Sequence, residues 1–236
     1  MLTLLPALLA TAPAAASPTG PLVLADIAWR AEPGRAGAPR LTLTRNGSSS
    51  NGVAMSERLA NGRTLGALLR QPGDGAVSFG LAPEAGRMTC SGTVRAGGGA
   101  GRCRFTSSQA FEAGLTARAI PLKRRDQLFD LALVGATLAR ADGLSREGFP
   151  MRNADDLAAA TALDVTGAYA RELRSAGLAI RSFNDLIACR ALKIDGNWVN
   201  GFARAGYRLD ARRAIAMKAT GVTPDYARQI REGGAK

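Results

Sequence analysis

Apolar and polar residues alternate with a period of two in several short runs of the N-terminal half. These runs are Leu41-Thr42-Leu43-Thr44, Val77-Ser78-Phe79-Gly80-Leu81, Met88 to Val94, and Cys103-Arg104-Phe105. Alternation of this kind sets one face of a strand against a core and the other in water. Leu22 to Trp29 supplies an earlier strand of mixed pattern. Turn-forming clusters separate the runs: Glu32-Pro33-Gly34, Asn46-Gly47-Ser48, Gln71-Pro72-Gly73-Asp74-Gly75 and Pro83-Glu84-Ala85-Gly86. Asn46-Gly47-Ser48 also matches a glycosylation sequon and is read as a turn. Residues 17–108 therefore predict an antiparallel β domain, either a small sheet or a sandwich, and residues 109–125 a short helix and linker.

The glycine run Gly97-Gly98-Gly99-Ala100-Gly101 predicts a hairpin loop centred near residues 96 and 97. That centring sets Cys90 opposite Cys103, within reach of a disulfide. In an oxidising compartment the pair bonds, and in a reducing one both remain small core residues. Cys189, in a helical segment, reads as a buried apolar residue.

From residue 126 the period becomes helical and the chain repeats itself. Asp156-Leu157 recurs as Asp185-Leu186, a period of 29. Val165 recurs as Ile194 and Val222, Tyr169 as Trp198 and Tyr226, Leu173 as Phe202 and Ile230, and Gly177 as Gly206 and Gly234. A fainter earlier copy holds Leu128, Leu144, Gly148 and Phe149. Each unit predicts two short helices. The first is capped by Asn153, Ser182 or Asp210, with an acid three residues on in the first two. The second is capped by Thr166, Asp195 or Thr223 and ends at Gly177 or Gly206. Helices of about ten residues are marginal alone. They must stack, with positions 169/198/226 and 173/202/230 as core between units. The expected class is α+β: an N-terminal antiparallel β domain, then an α-solenoid-like array of helix pairs over 126–236.

The segment Val222-Thr223-Pro224-Asp225-Tyr226-Ala227-Arg228-Gln229-Ile230-Arg231 resembles the "VTPEYVREL" helix of exported bacterial repeat proteins. Asn184-Asp185-Leu186-Ile187-Ala188 and Leu192-Lys193-Ile194-Asp195-Gly196 are similar to the same consensus, and Gly86 to Phe105 resembles the β segment preceding such repeats. These repeats also follow the protease domain in some relatives of beta-lactam-sensing antirepressor metallopeptidases. The chain lacks the family's frequent His before the turn and any metallopeptidase motif, so the resemblance implies an architecture and carries over no catalytic residue.

Composition adds a compartment. Residues 1–16, MLTLLPALLATAPAAA, are uncharged, mostly apolar and small, and interrupted by Pro6 and Pro13. The run is too short for a bilayer span and ends in Ala14-Ala15-Ala16, which predicts a signal peptide cleaved near Ala16. The segment lacks a basic n-region, and a buried N-terminal helix is the alternative. The implied location is periplasmic or secreted.

The net charge is +12, and 27 of the 31 basic residues are Arg. The excess is shared evenly by the two halves, as GC-rich coding and a solvated surface produce. Charge alone allows nucleic acid as a partner, and export argues against it.

The chain has no histidine. That excludes Ser-His-Asp and Cys-His nucleophile systems and the HExxH zinc site. No phosphate loop or dinucleotide fingerprint is present, and nothing calls for a cofactor or metal. The expected function is a non-catalytic interaction scaffold that binds a protein or an anionic envelope component. The alternative is a carboxylate-dependent enzyme acting on cell wall or carbohydrate. Its candidate acids, Asp155 and Asp156, read better as helix-start residues.

The candidate binding residues lie on the second helices. Arg171 and Arg174 sit two and five positions after one core aromatic, as Arg228 and Arg231 do after another; the copy between has Asn200 and Ala203 at those positions, and the row resumes at Arg204. Residues three apart share a helix face, so stacked units would align them as a basic ridge. Glu172 and Glu232 partly offset it, and a plain wet face is the bland alternative. If the ridge is functional, exchanging all four paired arginines for Gln is expected to leave thermal stability nearly unchanged, since the positions are exposed, while partner binding falls.

Overall fold

A computed structural model of the chain describes residues 20–32, 40–46, 48–51, 67, 74–95 and 97–233. Residues 1–16, expected to be a signal peptide, the expected turns at Pro33-Gly34 and Gln71-Pro72-Gly73, and Gly234 lie outside the described residues. The class is α+β.

Six strands form one antiparallel sheet: β1 (Val23–Glu32), β2 (Arg40–Arg45), β3 (Ser48–Asn51), β4 (Gly75–Leu81), β5 (Gly86–Arg95) and β6 (Gly98–Ser107). Their order is β3-β2-β1-β6-β5-β4. Among the described residues this is a single sheet and no sandwich. Strand β3, made of Ser48-Ser49-Ser50-Asn51, has no alternating apolar signature, and only its first residue falls in a segment, Asn46-Gly47-Ser48, that the sequence marks, as a turn. Asn46 turns the chain into it with φ 50°.

The β5–β6 hairpin closes at Arg95↔Gly98, and Gly97 has φ 79°. The hairpin thus closes where expected, but from Gly98 on the glycine run is strand and not loop. The reason is Trp29 of β1. Its buried indole lies across Gly92, Gly99 and Gly101 and donates from Nε1 to the Ser91 carbonyl at 2.9 Å. A Cβ on Gly101 would sit 2.6 Å from that Nε1, and one on Gly92 would sit 2.1 Å from the Ala100 carbonyl oxygen. Beside this groove Cys90 faces Cys103 directly, with Cα atoms 4.0 Å apart and a disulfide between them.

Nine helices follow among the described residues: α1 (Gln109–Ala117), α2 (Gln127–Val134), α3 (Leu138–Arg146), α4 (Ala154–Ala162), α5 (Gly167–Ser175), α6 (Phe183–Ala191), α7 (Gly196–Arg204), α8 (Ala211–Ala219) and α9 (Pro224–Gly233). Capping is side-chain driven. Asn153, Ser182 and Asp210 accept the N–H three residues on at the starts of α4, α6 and α8. Thr166, Asp195 and Thr223 do the same for α5, α7 and α9. The acid Asp156 reaches back to the Arg152 N–H at 3.1 Å, one residue beyond the Asn153 cap whose N–H a capping box would satisfy.

Left-handed glycines close α3, α5 and α7: Gly148 (φ 83°), Gly177 (φ 85°) and Gly206 (φ 81°). The other set of ends uses Gly135, Asp164, Lys193 and Gly221, all at positive φ. Asp164 and Lys193 carry a Cβ there. The N–H that follows each donates back to a helix carbonyl, as Val165 does to Ala160 at 2.7 Å and Ile194 to Cys189 at 2.9 Å.

The core runs without a break from the sheet into the helices. Phe105 of β6 meets Phe129 of α2 edge-on at 5.4 Å, and α2 packs on α4, α3 on α5, α5 on α7, and α7 on α9. The segment between α1 and α2 is tied down. Arg125 holds Glu112 with two bonds of 2.8 Å and the Gly20 carbonyl at 2.7 Å, and Arg118 holds Asp142 at 2.6 and 2.7 Å.

Tyr169, Leu173 and Phe202 are buried as expected, and Trp198 is half-buried. Tyr226 and Ile230 are not: each is 53% exposed. No described helix follows α9 to cover them, so the equivalence in sequence does not extend to burial there.

Candidate interaction surface

The second helices α3, α5, α7 and α9 present the arginines that the periodicity picked out, and the structure separates them into different situations. Arg171 and Arg174 of α5 converge on one carboxylate, Glu147, which closes α3. Arg171 Nη1 bonds Glu147 Oε1, and Arg174 Nη1 bonds Oε2 at 3.0 Å. Arg174 Nη2 also donates to the Glu147 carbonyl at 3.0 Å. The Glu147 side chain is only 12% exposed, whereas Arg171 and Arg174 are 61% and 55% exposed. The Arg171 bond, with Arg174 behind it, holds this carboxyl below the usual range against the opposing effect of burial.

Arg228 and Arg231 do not repeat this pairing. Arg228 turns to Asp225 on its own helix at 2.7 Å. Arg231 Nη1 donates to the Ala205 carbonyl at 2.8 Å, beside Gly206. Ala205 closes α7 as Glu147 closes α3, so Arg231 and Arg174 make the same backbone contact to the preceding second helix. Arg204 is exposed and has no ion pair among the described residues. Positions 174 and 231 thus join neighbouring helices. The quadruple exchange to Gln would remove those joints and should therefore lower stability, against the expectation that it leaves stability nearly unchanged.

Close contacts between second helices follow the same offset. Gly143 in α3 lies against Gly167 at the start of α5, Glu172 in α5 against Gly196 at the start of α7, and Gly201 in α7 against Pro224 at the start of α9. Glu172 Oε1 accepts the Gly196 N–H at 2.7 Å, so its charge faces a helix N-terminus. Between α3 and α5 lies a hollow of about 360 Å³, lined by Thr137, Arg140, Gly143, Arg146, Thr166 and Arg171 among others. Arg140 is held by the Val165 carbonyl at 2.8 Å and Asp164 at 3.1 Å. Arg146 has only a 3.3 Å bond to the Asp142 carbonyl and no ion pair among the described residues.

The acids considered for catalysis are engaged elsewhere. Asp156 is buried and takes a two-pronged contact from Arg152 at 2.8 and 3.0 Å. Asp155 accepts from Lys123 at 2.7 Å and Gln127 at 2.6 Å, and the lysine draws its carboxyl below the usual range. Cys189 is buried, and desolvation pushes its thiol up to about 12, far from a reactive thiolate. The Tyr169 hydroxyl is also raised by burial and donates to the Ile194 carbonyl at 2.6 Å. No group of three or more His, Cys, Asp or Glu suited to a metal occurs among the described residues. No helix among them is long and apolar enough to cross a membrane.

The arginine contacts to backbone carbonyls were missed in sequence because donor and acceptor lie 26 or 27 residues apart. Only the repeat period, applied to cap positions, would have found them. Comparison with protein-family models, curated proteins and solved structures returned no match.

Proposed function

We propose that the helical half is a short α-solenoid serving as a non-enzymatic scaffold, and that its second-helix face binds an acidic partner, a protein or an anionic envelope component. One observation carries this reading. Arg171 and Arg174 share a single recessed carboxylate yet stay more than half exposed, which leaves two fixed guanidiniums with surplus positive charge. Guanidinium is suited to two-pronged contact with carboxylate or phosphate, and prior anchoring reduces the entropy lost on binding. Arg146 adds a charge across the hollow, and Arg204 extends the surface to α7.

The repeated caps, the left-handed closures and the helix-start contacts at one offset support stacking of equivalent units. The resemblance to exported repeat proteins and the Cys90–Cys103 bond support a periplasmic or secreted location, since such bonds persist where thiols are oxidised.

The test is capture from an envelope extract by the wild-type chain and by the Arg171→Gln/Arg204→Gln/Arg228→Gln variant, which spares the joints at 174 and 231. A partner retained by the wild type, lost by the variant and released by salt supports the reading. Equal capture by both proteins overturns it.

A further inference from the structure

The outer face of the sheet carries a second basic feature that only strand register reveals. Side chains on the other face, including Trp29, Phe79, Phe105 and both bonded cysteines, point into the core. On the outer face Arg104 pairs across to Thr89, Arg102 to Ser91 and Ala28, Arg87 to Thr106, and Arg30 to Ala100. Arg87 is thus diagonal to Arg104. Arg104 and Arg102 are two residues apart on β6, and Arg102 is diagonal to Arg30. The four form one oblique file across β5, β6 and β1, with steps of about 7 Å and a length of about 20 Å. All four are exposed. Arg87, Arg102 and Arg104 have no ion pair among the described residues, and Arg30 has only an exposed contact to Glu32 at 3.5 Å. Asp26 lies in the β1 irregularity between Leu24 and Ile27.

We propose that this file is a binding track for a linear carboxylated polysaccharide, distinct from the second-helix surface. The geometry favours this occupant over other anions. Arg95 and Arg40 lie on the same face at the Arg30 end, but Arg95 is paired with Asp74 at 3.9 Å and Arg40 sits opposite Glu32. The four remaining charges run in single file, which suits a strand-like polymer better than a charged plane such as a lipid surface. Their neighbours are short: Thr89, Ser91, Thr106, Ala28 and Ala100 leave the guanidiniums standing proud, and the hydroxyls are placed to bond sugar hydroxyls. No aromatic ring points outward from these strands, so base stacking, which supplies much of single-stranded nucleic-acid affinity, has no platform here. Guanidinium and carboxylate are matched fork to fork.

The experiment is titration of the full chain with an oligogalacturonate of six to eight residues, monitored by calorimetry at low and physiological salt. The wild type is expected to bind, with affinity falling steeply as salt rises. Arg102→Gln/Arg104→Gln should weaken binding at least tenfold. Arg102→Lys/Arg104→Lys should retain part of it, and the Arg171→Gln/Arg204→Gln/Arg228→Gln variant should bind as the wild type does. That last result separates this track from the helical surface, because either can fail alone. Unfolding midpoints of the sheet variants should match the wild type, since the exchanged side chains are solvent-exposed. No binding, or unchanged affinity in Arg102→Gln/Arg104→Gln, overturns the proposal. Equal affinity for oligothymidylate or for phosphatidylglycerol vesicles also overturns it, by showing charge attraction without polysaccharide preference.

Discussion

Arg174 donates to the carbonyl oxygen of Glu147, the residue that closes the preceding second helix, at 3.0 Å. Arg231 does the same for Ala205 at 2.8 Å, and on the first helices Arg190 Nε does so for Leu163 at 3.1 Å. The last carbonyls of a helix have no partner within it and carry partial negative charge. A guanidinium from a later helix answers both needs while fixing the spacing of the two helices. Helices of eight to ten residues, too short to persist alone, are therefore joined at their ends as well as through their cores.

Arg174→Ala should lower the melting temperature by roughly 2–4 °C, because it frees the Glu147 carbonyl and removes one of the two ion-pair partners of its carboxylate. Arg171→Gln touches no backbone carbonyl and should shift it less. Thermal unfolding followed by circular dichroism checks the order. A larger effect at 171 than at 174 would contradict the jointing role.

The dependence of stability on pH should be a plateau with two edges. With no histidine, no side chain of ordinary pKa titrates between about pH 5.5 and 8, so stability should be flat there. Glu147, Asp142 and Asp155 have folded values below their ordinary ones, through Arg171, Arg118 and Lys123 respectively. Their contribution is complete above the unfolded values, 4.5 for Glu and 3.8 for Asp, and is lost as pH falls through the lower folded values. Asp130, raised by desolvation, acts in the opposite sense and blunts the acid edge. On the alkaline side Cys189 is raised to about 12 from 9.0, and Tyr169 is raised as well. The unfolded chain releases these protons first, so stability should decline as pH rises above 9. Urea midpoints measured from pH 3 to 11 test both edges, and a step between pH 6 and 8 would refute the plateau.

The Cys90–Cys103 bond closes a loop of 13 residues in sequence separation. Cross-linking a loop of that size contributes about 2–3 kcal/mol by restricting the unfolded chain. Cys90→Ala/Cys103→Ala should lose about that much, and non-reduced tryptic digestion should yield Met88–Arg95 linked to Cys103-Arg104. Two separately alkylated peptides from an oxidising preparation would count against the bond.

The legible parts were those encoded locally. Thr166, Asp195, Asn153 and Ser182 cap the helices they were expected to cap because the hydrogen bond spans three residues. The Cys90–Cys103 pairing followed from one hairpin centre. What required more than local sequence stayed hidden. Asp164 and Lys193 occupy left-handed positions that their side chains do not advertise. The glycine run read as loop because the reason for its small residues, the Trp29 ring, lies on another strand. The oblique arginine file on the sheet has no linear signature, since its members belong to three strands and align only once register is known.

Gly143 and Gly167 make the last prediction, and they should respond oppositely to the same change. Gly143 lies inside α3 at ordinary φ, and a Cβ there would meet nothing within 4 Å. A glycine within a helix costs entropy relative to alanine, so Gly143→Ala should stabilise the protein by about 0.5–1 kcal/mol. Gly167, the first residue of α5, would place a Cβ 2.5 Å from the Gly143 carbonyl oxygen. That neighbour is backbone and cannot rotate away, so Gly167→Ala should destabilise by about 1–3 kcal/mol as α3 and α5 are pushed apart. Because the clash involves the Gly143 carbonyl and not its Cα substituent, the double variant measures coupling through the helix backbone. Any departure from additivity above about 0.5 kcal/mol shows that the α3–α5 spacing has changed. A stabilising Gly167→Ala would mean that the two helices are free to separate at no cost, which the shared Glu147 contact with Arg171 and Arg174 argues against.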